Sequence, residues 1–313
     1  IVVAKITIPE KVYHDLDIRI NTIDSKYVSI VLPKRVQDSN KSDYGKVLFV
    51  TGSSGMTGAG CLAGKACLRT GAGLVYLAVP SSLTAIYETA FSESVVLPIK
   101  DDNKGYFLKD SLKELVKQIN KINTAVIGPG MSVNSDIQAV VKGIISNSKV
   151  PLVLDADALN AVSKDVSILS KKSSDIVITP HPGEMARLAG TSSKQVQDDR
   201  ISTAVEFSKK WDVITVLKGS RTLVVSPKGE IYINLTGNSG MSTAGSGDVL
   251  SGIISGLIGQ GMNPYEASVA GVYIHGAAGD IAAEEKGEHG MIAGDITEMI
   301  PDVINDILQN KKI

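Results

Sequence analysis

The chain has few of the features that mark secreted, membrane-bound or nucleic-acid-binding proteins. Its 313 residues include two cysteines, which are too few for a disulfide framework and fit a reducing compartment. Aromatic residues make up only 4%, so stacking surfaces for single-stranded nucleic acid are scarce. The 32 basic and 33 acidic residues give a net charge of −1, without the cationic excess that binding to a phosphate backbone requires.

The sequence also lacks long apolar runs and an amino-terminal segment that resembles a signal peptide. No stretch approaches the roughly 18 uninterrupted apolar residues of a membrane span. No basic segment followed by an apolar core opens the chain in the manner of a signal peptide. We therefore expect a cytoplasmic protein that binds neither membranes nor nucleic acid. The hydrophobic content of 43% is ordinary for a globular protein and excludes a disordered one.

The amino-terminal stretch differs from the rest of the chain. Ile1–Ile8 and Lys26–Leu32 are β-like runs joined by polar residues, and they are too short to bury a core alone. We expect residues 1–32 to form either a linker arm or the tail of a preceding domain, and residues 33–313 to form one large domain. Because the first residue is Ile1 rather than methionine, we expect the chain to be processed or part of a longer protein.

From Gly45 onward, apolar runs alternate with helical patterns. Runs that are apolar on both faces are typical of parallel strands covered by helices on two sides. Strands are predicted over Lys46–Val50, Leu74–Val79, Thr124–Ile127, Pro151–Leu154, Ile176–Thr179 and Val213–Leu217. Helices are predicted up to Thr70 and over residues 111–122, 135–147, 182–190, 194–211, 245–261, 264–285 and 294–308, and a hairpin over Thr222–Ser226 and Glu230–Asn234. The fold class predicted is α/β, with three layers, a mostly parallel central sheet and a C-terminal β-hairpin.

The strongest chemical signal is the run of small residues Asn238–Ser251, which leads into an apolar helix. Gly245–Gly247 would form the start of that helix, where unpaired N–H groups and a partial positive charge suit a phosphate. Asp248 in the first turn either stabilises the helix start through its charge, or takes a proton from a substrate hydroxyl beside the phosphate. The density of small residues favours the second interpretation.

Two further glycine-rich turns follow predicted strands. Gly52–Gly60 matches neither the dinucleotide-binding fingerprint nor the P-loop, and the lack of a Gly-Lys-Ser/Thr ending excludes a Walker-type ATPase. Its glycines indicate either close backbone approach to a ligand or simple turn flexibility, and its place at the carboxyl end of a strand favours binding. Gly128–Gly130 is a turn in which Gly130 can lie against a ligand.

Charged side chains follow three other strands, and each has two interpretations. The carboxylates of Asp155–Asp157 either hold Mg²⁺ or cap the next helix. His181, fixed between two prolines, is either a surface or satisfied core residue or a ligand contact, and its place at the end of a strand favours the contact. Lys218 either meets phosphate or is a solvated charge in a turn. His275 and Asp280, five residues apart in one predicted helix, are interpreted as structural.

Taken together, these segments resemble the NAD(P)H-hydrate dehydratase family, whose members have a ribokinase-like fold. The resemblance rests on seven ordered blocks within about residues 33–280: GSSGMTGAG, IGPG, LDADALN, TPHPGE, LKGSRT, GNSGMSTAGSGD and HGAAGD. It implies a hydro-lyase that returns hydrated NADH or NADPH to the reduced cofactor, driven by ADP or ATP and assisted by Mg²⁺. Phosphorylation of the ring hydroxyl would be followed by loss of phosphate, which leaves more readily than hydroxide.

The resemblance also implies roles for individual residues. Asp248 would be the catalytic base, and Gly245 and Gly247 would stabilise the transferring phosphoryl group. Positions that contact the hydrated cofactor in the family fall on Ala59, Gly130, His181 and Asp248, and those that hold the adenine nucleotide fall on Lys218, Gly219, Ser220, Arg221, Thr222 and Gly247. Ala244 and Ser246 replace a glycine and a threonine that are usual in the family, and both are small enough to keep the phosphate cradle.

The residues leave three functions open. The first is a nucleotide-dependent dehydratase, and the alternative is a small-molecule kinase of the same fold that acts on a vitamin-precursor alcohol. The third is a nucleotide-binding module without catalysis, which an intact Asp248 argues against. The resemblance further implies a homo-oligomer, a tetramer in many members, and an NAD(P)H-hydrate epimerase domain that precedes the dehydratase in two-domain members.

Overall fold

Ten strands form one sheet in the computed structural model, which describes residues 19–309. In chain order they are β1 (Ile20–Thr22), β2 (Lys46–Val50), β3 (Leu74–Pro80), β4 (Val95–Ile99), β5 (Thr124–Ile127), β6 (Leu152–Leu154), β7 (Ile176–Ile178), β8 (Ile214–Leu217), β9 (Leu223–Val225) and β10 (Ile231–Ile233). Their spatial order is β1-β10-β9-β8-β7-β6-β5-β2-β3-β4. Every neighbouring pair is parallel except the two that β9 forms with β8 and β10. The mostly parallel sheet and the β9–β10 hairpin confirm the predicted fold class.

Helices connect most of the strands. Those in residues 19–309 are α1 (Ser25–Val31), α2 (Thr57–Arg69), α3 (Thr84–Ala90), α4 (Leu112–Ile119), α5 (Ser135–Asn147), α6 (Asp157–Val162), α7 (Pro182–Ala189), α8 (Ser193–Asp198), α9 (Arg200–Trp211), α10 (Ser246–Gly259), α11 (Pro264–Lys286) and α12 (Ala293–Leu308). None of these helices combines the length and apolar character needed to cross a bilayer.

Both faces of the sheet are buried, as the near-continuous apolar strands predict. Along β2, Val47 and Phe49 belong to one apolar cluster, whereas Leu48 and Val50 belong to the other. Successive side chains of a strand point to opposite faces, so this alternation places apolar groups on both sides. Helices α1–α3 and α10–α12 cover one face and α4–α9 cover the other, which gives the three predicted layers.

Helix α10 is fixed closely against α2 because glycines lie at the contact. A Cβ on Gly252 would lie 2.1 Å from the carbonyl oxygen of Ala63, and one on Gly256 would lie 3.0 Å from that of Cys67. The larger side chains of α10 are buried almost throughout. The amino-terminal end of α10, which carries the predicted chemistry, therefore has a defined position relative to the sheet.

The β-like prediction for Lys26–Leu32 is wrong, because this segment forms α1. Asp24 caps the helix, and its Oδ1 accepts a hydrogen bond from the N–H of Tyr27 at 2.7 Å. Val28 on the inner side is fully buried, and α1 packs on α11 and α12. The assignment of residues 1–32 to an arm or a preceding domain stays a prediction, and Ile1–Ile8 lies outside the described residues.

The single helix predicted over residues 194–211 is also wrong, since two helices occupy this stretch. Asp199 separates α8 from α9 with φ −143° and ψ 76°, and its side chain accepts from the N–H of Ser202 at 3.0 Å. The aspartate therefore caps a new helix instead of continuing the old one. The edge strands β1 and β4 were not predicted; β4 contains Pro98 and is partly exposed, so it lacks the continuous apolar pattern of the central strands.

Candidate active site

The carboxyl ends of the central parallel strands meet at one edge of the sheet. The register pairs the terminal residues Ile127, Leu154 and Ile178 across β5, β6 and β7. Asp155 directly follows β6, and Lys218 directly follows β8. In open α/β sheets, ligands bind outside this edge. The side chains that follow these strands therefore lie where a ligand would bind.

Helix α10 begins at the same edge. Gly245 precedes it with a φ of +89°, and a Cβ there would lie 2.5 Å from Leu62 Cδ1. A Cβ on Gly247 would lie 3.1 Å from the Nζ of Lys218, so this glycine lets the ammonium approach the first turn. The helix dipole and the ammonium together concentrate positive charge, which suits an anionic group such as phosphate.

Lys218 is held by buried carboxylates. Its Nζ lies 2.9 Å from Asp155 Oδ1 and 4.0 Å from Glu184 Oε2. Asp155 is 1% exposed, and its Oδ2 also accepts from the Oγ of Ser251 at 2.6 Å. Burial alone would lower the pKa of Lys218, but the charges of Asp155 and Glu184 outweigh it and raise the pKa. The ammonium therefore stays charged beside α10.

Asp248 stands in the first turn of α10 without a partner. Within residues 19–309, its carboxylate forms no hydrogen bond and no ion pair. Burial and then the negative charge of Asp155 raise the pKa of Asp248 to about 7, although Lys218 acts in the opposite direction. A general base works best when its pKa is near the working pH. The environment of Asp248 is thus suited to accepting a proton from a substrate.

His181 and Glu184 form a capping box at the start of α7. His181 Nδ1 accepts from the N–H groups of Gly183 and Glu184 at 3.0 and 3.3 Å, and Glu184 Oε2 accepts from the N–H of His181 at 2.8 Å. Burial lowers the pKa of His181 and raises that of Glu184 to about 7. The imidazole is therefore neutral at pH 7 and has a fixed orientation, although its side chain is 52% exposed.

A cavity of about 710 Å³ opens beside these groups. Ligand pockets for small molecules commonly measure about 300–1,000 Å³. Its walls include His181 and every residue that the family resemblance assigns to the adenine nucleotide, namely Lys218, Gly219, Ser220, Arg221, Thr222 and Gly247. The structure thus brings the whole predicted nucleotide set together around one opening.

Ala59 and Gly130 lie beside each other at the same edge of the sheet, but they do not line this cavity. Gly130 has a φ of +63°, and a Cβ there would lie 2.4 Å from the carbonyl oxygen of Met56 and 3.3 Å from the Cβ of Ala59. Of the four positions assigned to the hydrated cofactor, His181 alone is in the cavity wall.

The carboxylates of Asp155 and Asp157 are not arranged as a metal site. Asp155 accepts from Lys218 on Oδ1 and from Ser251 on Oδ2, and Asp157 Oδ2 accepts from the N–H of Ser132 at 2.8 Å. No cluster of three or more His, Cys, Asp or Glu that could hold a metal occurs between residues 19 and 309. Magnesium is often held by one or two carboxylates together with substrate phosphates. An Mg²⁺ held mainly by nucleotide phosphates would need few ligands from the protein.

His275 is a cavity residue whose position was not predicted. The sequence interpretation treats it as structural, yet it lines the cavity with Nε2 3.3 Å from the Oγ of Ser246. Burial lowers the pKa of His275 to about 4, so the ring is neutral at pH 7. Asp280 does have structural contacts, because it accepts from the N–H of Gly237 and the side chain of Asn238. The HGAAGD block contains both residues, and only the fold distinguishes them.

Comparison with known proteins identifies the family. A profile described as NAD(P)H-hydrate dehydratase matches residues 47–302. The chain belongs to this family. A bifunctional NAD(P)H-hydrate repair enzyme from Moorella thermoacetica is 41% identical over 305 residues, which cover 97% of this chain and 58% of the relative. The chain therefore spans less than two thirds of that curated relative.

Relatives of similar length and solved structures agree. An ADP-dependent (S)-NAD(P)H-hydrate dehydratase from Neisseria meningitidis is 38% identical over 270 residues, 85% of this chain and 87% of the relative. The crystal structure of an ADP/ATP-dependent NAD(P)H-hydrate dehydratase from Bacillus subtilis, co-crystallized with ATP/Mg²⁺, has a TM-score of 0.80 at 27% identity and covers 92% of this chain and 98% of its own. A ribokinase-like superfamily protein from Enterococcus faecalis has a TM-score of 0.79 at 25% identity and covers 93% and 97%. The fold is ribokinase-like, as predicted.

Proposed function

We propose that the chain dehydrates hydrated NADH or NADPH to the reduced cofactor, with ADP or ATP as phosphoryl donor. One observation carries the proposal: the unpaired carboxylate of Asp248 stands at the start of α10, next to Gly247, which faces both the Lys218 ammonium and a nucleotide-sized cavity. Family membership and the dehydratase names of the relatives support the same reaction.

In this proposal, Asp248 takes the proton of the ring hydroxyl as the hydroxyl oxygen bonds to the terminal phosphorus of ADP. The bond from that phosphorus to the bridging oxygen breaks, which releases AMP and leaves a phosphate ester on the ring. The ester then loses phosphate, and a neighbouring ring carbon loses a proton, so the C=C bond re-forms. The net products are the reduced cofactor, AMP, phosphate and one proton, which passes to water.

The start of α10 and Lys218 stabilise the transferring group. The positive end of the helix dipole at Gly245–Gly247 and the ammonium of Lys218 are fixed in place before the reaction, so they need no reorganisation as charge develops. Bound on the nucleotide phosphates, Mg²⁺ would neutralise further charge. The Asp155 carboxylate keeps Lys218 in position through the 2.9 Å ion pair.

The two substrates meet at α10. Lys218–Thr222 and Gly247 hold the adenine nucleotide in the cavity, whereas Ala59, Gly130, His181 and Asp248 contact the hydrated nicotinamide. The support for this division is that the first set lines the cavity and that Gly247 and Asp248, which belong to different sets, are neighbours in the chain. The transferred phosphoryl group would therefore pass between adjacent residues of one helix turn.

A small-molecule kinase is not favoured. Such an enzyme would need the same base and the same helix start, so Asp248 does not separate the two reactions. The relatives that cover most of this chain are named as dehydratases or NAD(P)H-hydrate repair enzymes, which favours loss of the phosphate over its retention.

A turnover assay tests the proposal. Hydrated NADH and hydrated NADPH are each mixed with the protein, Mg²⁺ and either ADP or ATP, and the return of reduced-nicotinamide absorbance is followed. We expect the absorbance to return only when a nucleotide is present. Absence of recovery with both nucleotides, or accumulation of a stable phosphorylated alcohol from a simple substrate, would contradict the proposal.

We propose further that the protein acts in the cytoplasm as a homo-oligomer, with a tetramer as the expected form. The buried, unpaired thiols of Cys61 and Cys67 fit a reducing compartment. Light scattering of the purified chain tests the assembly, since the mass of a single chain would contradict it. An epimerase domain ahead of this chain stays a prediction.

A further inference from the structure

Arg200 contacts the Leu217–Thr222 turn, and residues 218–222 of this turn line the cavity assigned to the nucleotide. Arg200 is the first residue of α9, and its Nη1 donates to the carbonyl oxygen of Ser220 at 2.6 Å. Its Nη2 donates to the carbonyl oxygens of Leu217 and Lys218 at 3.1 and 3.4 Å. Three carbonyl groups of one turn thus converge on a single guanidinium. A planar fork of donors can hold several acceptors at once, which a lysine ammonium does less well.

The direction of these carbonyl groups determines where the N–H groups of the turn point. In a trans peptide, the carbonyl of one residue and the N–H of the next point in opposite directions, and no cis peptide occurs in the described chain. The carbonyls of Lys218 and Ser220 face Arg200, so the N–H groups of Gly219 and Arg221 face away from it. Within residues 19–309, neither N–H group has a hydrogen-bond partner.

The backbone conformation of the turn also depends on the contact with Arg200. Gly219 has a φ of +138°, and a Cβ there would lie 3.3 Å from Arg200 Nη2, so glycine permits the guanidinium to lie against the chain. Arg221 has a φ of +58°, in the left-handed region that residues other than glycine adopt at a cost. Such conformations persist where surrounding contacts hold them, and the three hydrogen bonds of Arg200 are contacts of this kind.

We propose that Arg200 is a positioning residue for the adenine nucleotide. By holding three carbonyl groups of the Leu217–Thr222 turn, it directs the free N–H groups of Gly219 and Arg221 toward oxygen acceptors of the nucleotide in the cavity. Arg200 itself does not line the cavity and touches no reacting atom. This inference rests on the proposed function, because it requires that the cavity take a nucleotide.

Binding of ADP in the absence of the hydrated cofactor tests the inference. Titration calorimetry would compare the wild type with Arg200→Gln, Arg200→Lys and, as a control, Arg69→Gln, which removes the exposed ion pair between α2 and Glu298. In Arg200→Gln, the N–H groups of Gly219 and Arg221 would no longer be directed toward the nucleotide. Weakening of these two hydrogen bonds to ADP predicts a Kd for ADP raised about tenfold. We expect a smaller rise, about threefold, in Arg200→Lys, because one ammonium can still hold part of the turn.

Steady-state kinetics separate positioning from general damage. We expect Arg200→Gln to raise KM for the nucleotide while kcat at saturating nucleotide stays within about threefold of the wild type. A fall in kcat as large as the rise in KM, or an equal loss of ADP affinity in Arg69→Gln, would overturn the inference. If Arg200→Gln does not fold, Arg200→Lys decides, and wild-type affinity in that variant would overturn it.

The outcomes also distinguish this inference from the proposed function. A wild-type protein that binds neither ADP nor ATP would show that the proposed function has failed. A wild-type protein that binds ADP, together with a folded Arg200→Gln variant of equal affinity, would show that only the role of Arg200 is wrong.

Discussion

The two glycine-rich turns at the carboxyl edge of the sheet, Gly52–Gly60 after β2 and Gly245–Gly247 before α10, look alike in sequence but have different surroundings. In the first, Gly52 and Gly60 pack against uncharged neighbours: a Cβ on Gly52 would lie 2.2 Å from the Oη of Tyr87, and one on Gly60 would lie 2.5 Å from the Cγ2 of Thr51. In the second, Gly247 faces the ammonium of Lys218 at the start of a buried helix.

This difference shows what glycine content alone can and cannot indicate. In both turns, glycine lets another group come close to the backbone. Only the second turn has charged partners, because Lys218 and Asp155 approach it from two other strand ends and Asp248 follows it directly. The chemistry therefore depends on charges that the fold gathers from distant parts of the chain.

The largest effect is expected from Asp248→Asn. The amide is nearly the same size but cannot accept a proton from the ring hydroxyl, so we expect turnover to fall by about a thousandfold or more. ADP should still bind, because the cavity wall and Lys218 are unchanged. Turnover is followed by the return of reduced-nicotinamide absorbance, and ADP binding by calorimetry.

Asp295 offers a matched control for this substitution. It too is an aspartate in the first turn of a helix, where its Oδ2 accepts from the N–H of Ile292 at 2.8 Å. Asp295→Asn should lower the free energy of unfolding by about 1 kcal/mol and leave turnover unchanged. Equal losses of turnover in both variants would mean that Asp248 acts only as a helix-start residue.

The next largest effect is expected from Lys218→Gln. It removes the positive charge beside α10 and leaves the buried Asp155 without its ion-pair partner. We expect turnover to fall by about a hundredfold and the free energy of unfolding to fall by about 3 kcal/mol. Denaturant unfolding measures the second quantity. A variant as stable and as active as the wild type would show that the positive charge of Lys218 beside α10 is not needed for activity or stability.

A smaller effect is expected when alanine is placed in the helical part of each glycine-rich segment. Gly58 lies in α2, and a Cβ added there would meet no atom within 4 Å, so Gly58→Ala should raise the free energy of unfolding by about 0.5–1 kcal/mol through helix propensity. Gly247→Ala should displace the ammonium of Lys218 and lower turnover about tenfold. If Gly247→Ala keeps full turnover, close approach of Lys218 to the helix is not required.

The smallest effect is expected from a change of pH, which should alter kcat/KM. Asp248 acts in its ionised form, and burial raises its pKa to about 7. Activity should therefore rise with pH below about 7 and level off above it. Measurement over pH 5.5–8.5 with a saturating nucleotide tests this (about one pH unit and a half on either side of the expected midpoint). A rate that is flat down to pH 5.5 would contradict a base with a raised pKa.

Much of the fold follows from the sequence because the central strands are buried on both faces. In β5, Ala125–Ile127 are all apolar and the whole strand is buried, and that pattern leaves little alternative to a covered parallel sheet. The errors occur where one capping side chain decides the outcome. Asp24 starts a helix in a segment of β-like composition, and Asp199 divides what the periodicity presents as one helix.

The candidate site could be predicted in part. Asp248 and Lys218 stand beside glycines at recognisable positions, so each was a candidate without the structure. The ion pair between Lys218 and Asp155 joins residues far apart in the chain, and nothing local indicates it. Arg200 was missed for a different reason, because it acts on backbone carbonyls, which every residue possesses, so no side-chain motif marks its partners.

The stoichiometry of the reaction tests the central claim most directly. Hydrated NADH is incubated with ADP, Mg²⁺ and either the wild type or Asp248→Asn, and the NADH, AMP and phosphate formed are quantified from the same samples. The account predicts equal amounts of all three with the wild type, and none with a variant that still binds ADP. NADH formed without AMP, or AMP formed together with a lasting phosphorylated product, would contradict it.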